Sequence, residues 1–78
     1  MARRVIFDPS QQALAKAIRT ERERAGFSQE AFALHAGLDR SYYSAVERGD
    51  FNVTLETMLR IAAGLGVSLG RICTRAGI

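Results

Sequence analysis

One residue constrains this chain more than any other: Gly37, in the middle of the stretch FSQEAFALHAGLDRSYYSAVERG from Phe27 to Gly49. The runs on either side have helical spacing, and a glycine between them supplies the left-handed residue that ends one helix and turns the chain sharply into the next. Each helix also carries its own start signal. Ser28 is placed to cap the first, with Phe27 before the cap and Phe32 at the fourth helical position, spaced as a hydrophobic staple. Asp39 repeats the device for the second, with Leu38 before it and Tyr43 at the fourth position. Two short helices meeting at a tight corner are therefore expected over about residues 28–48, with the other residues supporting them.

The flanking sequence predicts three more helices. Asp8-Pro9-Ser10-Gln11 reads as a helix start, with Asp8 as cap, proline at the first helical position and a glutamine able to reach back to the cap. That helix runs to about Ala25, places Leu14, Ile18, Arg22 and Ala25 on one face, and stops at Gly26. Thr54, flanked by the staple pair Val53 and Met58, opens a fourth helix whose apolar face is Leu55, Met58, Leu59, Ala62 and Leu65, closed by Gly64 or Gly66. Ser68, with Val67 and Ile72 as its staple, opens a short fifth helix that ends at Gly77. Only Val5 to Phe7 could be a strand. With 78 residues, 47% apolar and 24% charged, the expected architecture is all-α: a compact five-helix bundle over residues 9–78 behind an N-terminal arm, residues 1–8.

Two helices joined through a glycine corner make a helix-turn-helix, whose second helix can lie in the major groove of DNA. On the helix from Arg40 to Arg48, Tyr43 and Val46 point inward, while Arg40, Ser41, Ser44, Ala45 and Arg48 share the outward face. Arginine can donate to guanine O6 and N7, serine can donate or accept, and alanine can touch a thymine methyl. The same face could also be solvated surface. The net charge of +3 and pI near 9.8 suit a polyanion, but the charge is unevenly placed. Residues 1–26 hold six basic and three acidic side chains, residues 27–49 two and three, and residues 50–78 three and two. The helix-turn-helix is therefore not a basic patch, and its grip on DNA must come from particular arginines, helix N-terminal amides and charge on the first helix.

The run GFSQEAFALHAGLDRSYYSAVERG, followed by NVTLETMLRIAAGLGVSL, resembles the Cro/cI-type (XRE) helix-turn-helix family of bacterial and phage regulators over roughly residues 14–72. The resemblance implies a lambda-repressor-like DNA-binding domain. Within it, GLDRSYYSAVERGDFN is similar to the controller proteins of restriction-modification systems, which are small single-domain dimers. The family pattern implies base contacts at Arg40, Ser41 and Ala45, with Ser44 as an addition. At Ala45 some relatives carry a long polar side chain, so base reading there is limited to apolar contact or absent. It implies phosphate contacts at Gln29, made with the helix amides, at Tyr42, and at Arg48 and Asn52 around the following loop. Arg22 and Glu47 match a structural ion pair, Tyr43 a core position, and Ala33 the small residue that lets the two motif helices approach.

Other features are weaker. Arg3 and Arg4 could reach a minor groove or a phosphate, and Val5-Ile6-Phe7 could cover the domain or a partner. Leu65, Val67, Leu69, Ile72 and Cys73 offer a two-fold dimer interface, or simply close the monomer core. One cysteine and one histidine make neither a disulfide nor a metal ligand set, and His35 and Cys73 lack a third partner for catalysis, so no enzyme, metal or cofactor is expected. The three apolar residues after Arg3-Arg4 are too few for a signal peptide or membrane span, which points to the cytoplasm. The expected function is a transcriptional regulator that binds double-stranded DNA at a near-palindromic operator as a homodimer. It would repress by occupying a promoter or activate by touching RNA polymerase beside it. A protein-interaction module, such as an antitoxin or anti-regulator, is the rival.

Overall fold

A computed structural model describes residues 9–50 and 53–78. Among them run five helices: α1 (Pro9–Arg24), α2 (Gln29–Ala36), α3 (Arg40–Arg48), α4 (Leu55–Leu65) and α5 (Leu69–Ala76). Asp8, the expected cap of α1, lies outside the described residues, as do Val5 to Phe7.

The other four helices begin where their caps require. The side chains of Ser28, Asp39, Thr54 and Ser68 accept hydrogen bonds from the backbone amides of Ala31, Tyr42, Thr57 and Arg71, each at 3.0 or 3.1 Å. Every staple closes on the core: Phe32, Tyr43, Met58 and Ile72 are buried, and their partners Phe27, Leu38, Val53 and Val67 pack half-buried against the same cluster. The corner between α2 and α3 is made at Gly37, whose φ of 73° is left-handed, and Leu38 N–H then donates 2.8 Å back to the Ala33 carbonyl.

All five helices feed one core, drawn from Ala17, Ile18, Phe32, Ala33, Tyr43, Val46, Met58, Ile61, Ala62 and Ile72. Phe32 is its hub: its ring meets Phe27 edge-on at 5.3 Å and Tyr43 at 5.2 Å. Two expectations need correction. Leu55 and Leu59, assigned to the inner face of α4, are 65% and 50% exposed, and the buried positions are Met58, Ile61 and Ala62. α4 is apolar around more of its circumference than so small a domain can cover, and the core takes the sector that includes Ile61. Ile72, one of the candidate subunit contacts, is fully buried in its own protomer. Leu65, Val67 and Leu69 pack half-buried against the same core, while Cys73 is partly exposed.

Candidate nucleic-acid interface

α3 is held from beneath by a buried carboxylate. Glu47 accepts from Arg22 Nε at 2.7 Å and Arg22 Nη2 at 3.1 Å, from Gln29 Nε2 at 2.9 Å, and from the Tyr43 hydroxyl. Arg22 also donates from Nη1 to the Phe27 carbonyl at 2.7 Å, so one guanidinium joins α1, the turn before α2, and α3. Burial pushes the Glu47 carboxyl up, but the hydrogen bonds from Arg22, Tyr43 and Gln29 outweigh it and hold the group below the usual carboxylate range. The bond to Glu47 raises the Arg22 pKa against desolvation, and burial, reinforced by Glu47, raises that of the Tyr43 hydroxyl. The ion pair expected between Arg22 and Glu47 is thus present, with Gln29 and Tyr43 as further members.

With that side fixed, the opposite side of α3 faces outward. Gln29, Arg40, Ser41, Ser44 and Arg48 line one open polar concavity of about 330 Å³. Arg40 and Ser41 are exposed, and Arg40 makes no ion pair among the described residues. Arg48 donates from Nε to Asp50 Oδ2 at 2.9 Å and from Nη1 to Ser44 Oγ at 3.1 Å. Tyr42 is half-buried, with its hydroxyl 3.4 Å from Thr57 Oγ1.

Ala45, counted among the base-reading residues, is buried at 4% exposure. It lies about 140° around the helix from Arg40, beyond the arc that Arg40, Ser44, Arg48 and Ser41 occupy, and its methyl is shorter than theirs. Gln29 sits where a phosphate contact was expected, but its side chain is committed to Glu47. Asn52, Arg3 and Arg4 lie outside the described residues.

On α1, Lys16, Arg19 and Arg24 are exposed and make no ion pair among the described residues. Arg71 and Arg75 of α5, by contrast, are both engaged by Glu21 of α1, which is buried. The hydrogen bond from Arg75 holds the Glu21 carboxyl below its ordinary value against desolvation, with Arg71 assisting. Sequence reasoning missed this clamp. The signal was available: Glu21 follows Ile18 by three residues on the inner stripe of α1, and a carboxylate there requires cationic partners.

No helix among the described residues is long and apolar enough to cross a membrane. A family model described as helix-turn-helix matches residues 18–72, more than half of the chain. The control protein C.SmaI of Serratia marcescens is 36% identical over 74 residues, covering 95% of this chain and 88% of that one. The control protein C.MunI of a Mycoplasma species is 45% identical over 51 residues, covering 65% and 69%. Among solved structures, the restriction-modification controller protein C.AhdI from Aeromonas hydrophila superposes with a TM-score of 0.80 at 35% identity, covering 83% of this chain and 98% of that one. With its two capped helices, glycine corner and outward polar face, the chain belongs to the helix-turn-helix family of DNA-binding regulators, a family of regulators and not of enzymes.

Proposed function

We propose that this protein is a sequence-specific transcriptional regulator, the controller of a restriction-modification system, binding a near-palindromic double-stranded operator as a homodimer. One observation carries it: an exposed Arg40, without an ion pair among the described residues, at the head of a helix whose other side is locked by Glu47, with Ser41, Ser44 and Arg48 around the same concavity. Arg40 leads base reading, with Ser41 and Ser44 beside it. The first-turn amides of α2, Tyr42, Arg48 and Asn52 hold phosphates, and Lys16 and Arg19 add charge from α1. The similarity to C.SmaI, C.MunI and C.AhdI supports the controller role.

Two protomers would place their α3 helices in successive major grooves about 34 Å apart. Ile72 is buried, so the pairing face shifts from the α5 core side toward Leu55, Leu59 and Ala63 of α4, with Leu65, Val67, Leu69 and Cys73 at its margin. Glu56 and Arg60 flank that stripe and form an i,i+4 pair at 3.5 Å. An antiparallel pairing of two α4 helices centred near Met58 would bring Glu56 of each protomer toward Arg60 of the other, so the surface complements itself.

The test is binding to duplex DNA against salt. Affinity should fall steeply with salt for random duplexes, and Arg40→Ala should lose ~1 to 3 kcal/mol at one base pair per half-site with relaxed discrimination there. An unchanged ranking of operator variants in Arg40→Ala would remove Arg40 from the reading face. No binding of any duplex at low salt would leave the protein-interaction role instead.

A further inference from the structure

Gln12, in the first turns of α1, reaches across to the far end of α3. Its Nε2 donates to the main-chain carbonyls of Arg48 and Gly49, 3.3 Å from each. The closing turn of α3 pairs the carbonyls of Ala45 and Val46 with the amides of Asp50 and Gly49, and the Gln12 amide engages the two carbonyls further on, which ties this end of the helix to α1. The backbone is shaped to admit the contact. Gly49 has a left-handed φ of 76°, and a Cβ there would lie 2.8 Å from Gln12 Cδ, so only glycine allows both the turn and the close approach. The side chain of the residue so held, Arg48, is oriented in turn by Ser44 and Asp50, and both Arg48 and Ser44 line the polar concavity of α3.

We infer that Gln12 is a positioning residue for base recognition: by fixing the carbonyls of Arg48 and Gly49 it sets where the C-terminal half of α3, with the base-reading Ser44 and the phosphate-holding Arg48, stands in the groove. Gln12 acts in this way only if α3 reads bases, as proposed above. Two neutral, part-exposed hydrogen bonds add little to a domain whose α1 and α3 are already joined by the buried Arg22–Glu47 pair. Their effect falls on the placement of a helix end, where a shift of an ångström misaligns hydrogen bonds to base edges.

The test uses a duplex selected from a random pool by the wild-type protein. Gln12→Met keeps the length of the side chain and its helix preference but removes the donor. Its melting temperature should match wild type, and its affinity should fall about fivefold, the loss of one ordinary hydrogen bond. Discrimination should be lost at the base pairs sensitive to Ser44→Ala and kept at those sensitive to Arg40→Ala. The slope of log affinity against log salt should not change, since no phosphate contact is removed. Wild-type affinity and ranking in Gln12→Met would overturn the role, and so would a slope shallower by about one, which marks a direct phosphate contact. A thermodynamic cycle gives a second readout. Gly49→Ala should lose less operator affinity in a Gln12→Ala background than in wild type, because the added Cβ no longer meets the amide. Strictly additive losses would overturn it. If the wild-type protein selects no duplex, the assignment of α3 fails with it; if it selects one and the variants are indistinguishable, only the role of Gln12 fails.

Discussion

Glu47 is 6% exposed and accepts four hydrogen bonds from Arg22, Gln29 and Tyr43. Glu47→Ala leaves a buried guanidinium and hydroxyl without an acceptor and should cost ~3 kcal/mol or more, read as a fall in the urea midpoint. In a domain of this size each kcal/mol lowers the melting temperature by about 4–8 °C, so the variant should be partly unfolded at 37 °C. Glu47 and Glu21 both have folded-state pKa values below the ordinary 4.5. The unfolded chain therefore binds more protons in acid, and stability rises with pH there. Their contribution is whole above the ordinary value and is lost as pH falls through the folded-state pKa values. Urea midpoints should stay flat down to about pH 5 and fall below it, and Glu21→Gln should flatten part of the fall. The Arg22–Glu47 pair was legible through resemblance alone, since spacing within a sequence says nothing of two helices that cross. Gln29 and Gln12 joined their partners unannounced for the same reason: their contacts depend on a crossing angle, whereas Tyr43 meets Glu47 four residues along its own helix, a spacing that the sequence carries.

At the level of the helix, most of the molecule was legible because its signals are local. Ser28, Asp39, Thr54 and Ser68 cap the helices they were expected to cap, and Gly37, Gly49, Gly66 and Gly77 end α2 to α5 in left-handed conformations. What misled was breadth of apolar character. Leu55 and Leu59 fit a helical stripe as well as Met58 and Ala62 do, and only the limited cover from α1, α2 and α5 decides which sector is buried. Ala45 is buried where an outward position was expected, at the edge of an arc whose limits depend on neighbouring elements. Two glycines inside helices should behave in opposite ways. A Cβ at Gly64 would meet Phe32 Cζ at 3.1 Å, and that ring, wedged against Phe27 and Tyr43, cannot move aside; Gly64→Ala should destabilise by ~1–2 kcal/mol. At Gly70 the nearest atom is Ser68 Oγ at 3.8 Å, so Gly70→Ala should stabilise by up to ~1 kcal/mol, and thermal melts of the two variants check both signs.

In the whole molecule, charge and apolar surface are separated. α1 carries Lys16, Arg19 and Arg24, exposed and without an ion pair among the described residues, α3 presents Arg40 and Arg48 beside Ser41 and Ser44, and α4 exposes Leu55 and Leu59. Leu59→Glu should leave the fold intact, since the side chain is half exposed. With the pairing proposed above, it should also sediment as a monomer and bind the full operator far more weakly, with a smaller loss at a single half-site. A dimer unaltered by Leu59→Glu would move the pairing face elsewhere.

The caps have a consequence in time. Each binds an amide three residues ahead of it, and each closing glycine donates back within its own helix, so the start and stop of α2 to α5 need no distant partner. A chain organised by such short-range contacts closes few long loops as it folds, and domains of this kind fold in microseconds to milliseconds. That is negligible beside the seconds needed to synthesise the chain. The delay before such a regulator acts would then be set by how quickly protomers accumulate and meet.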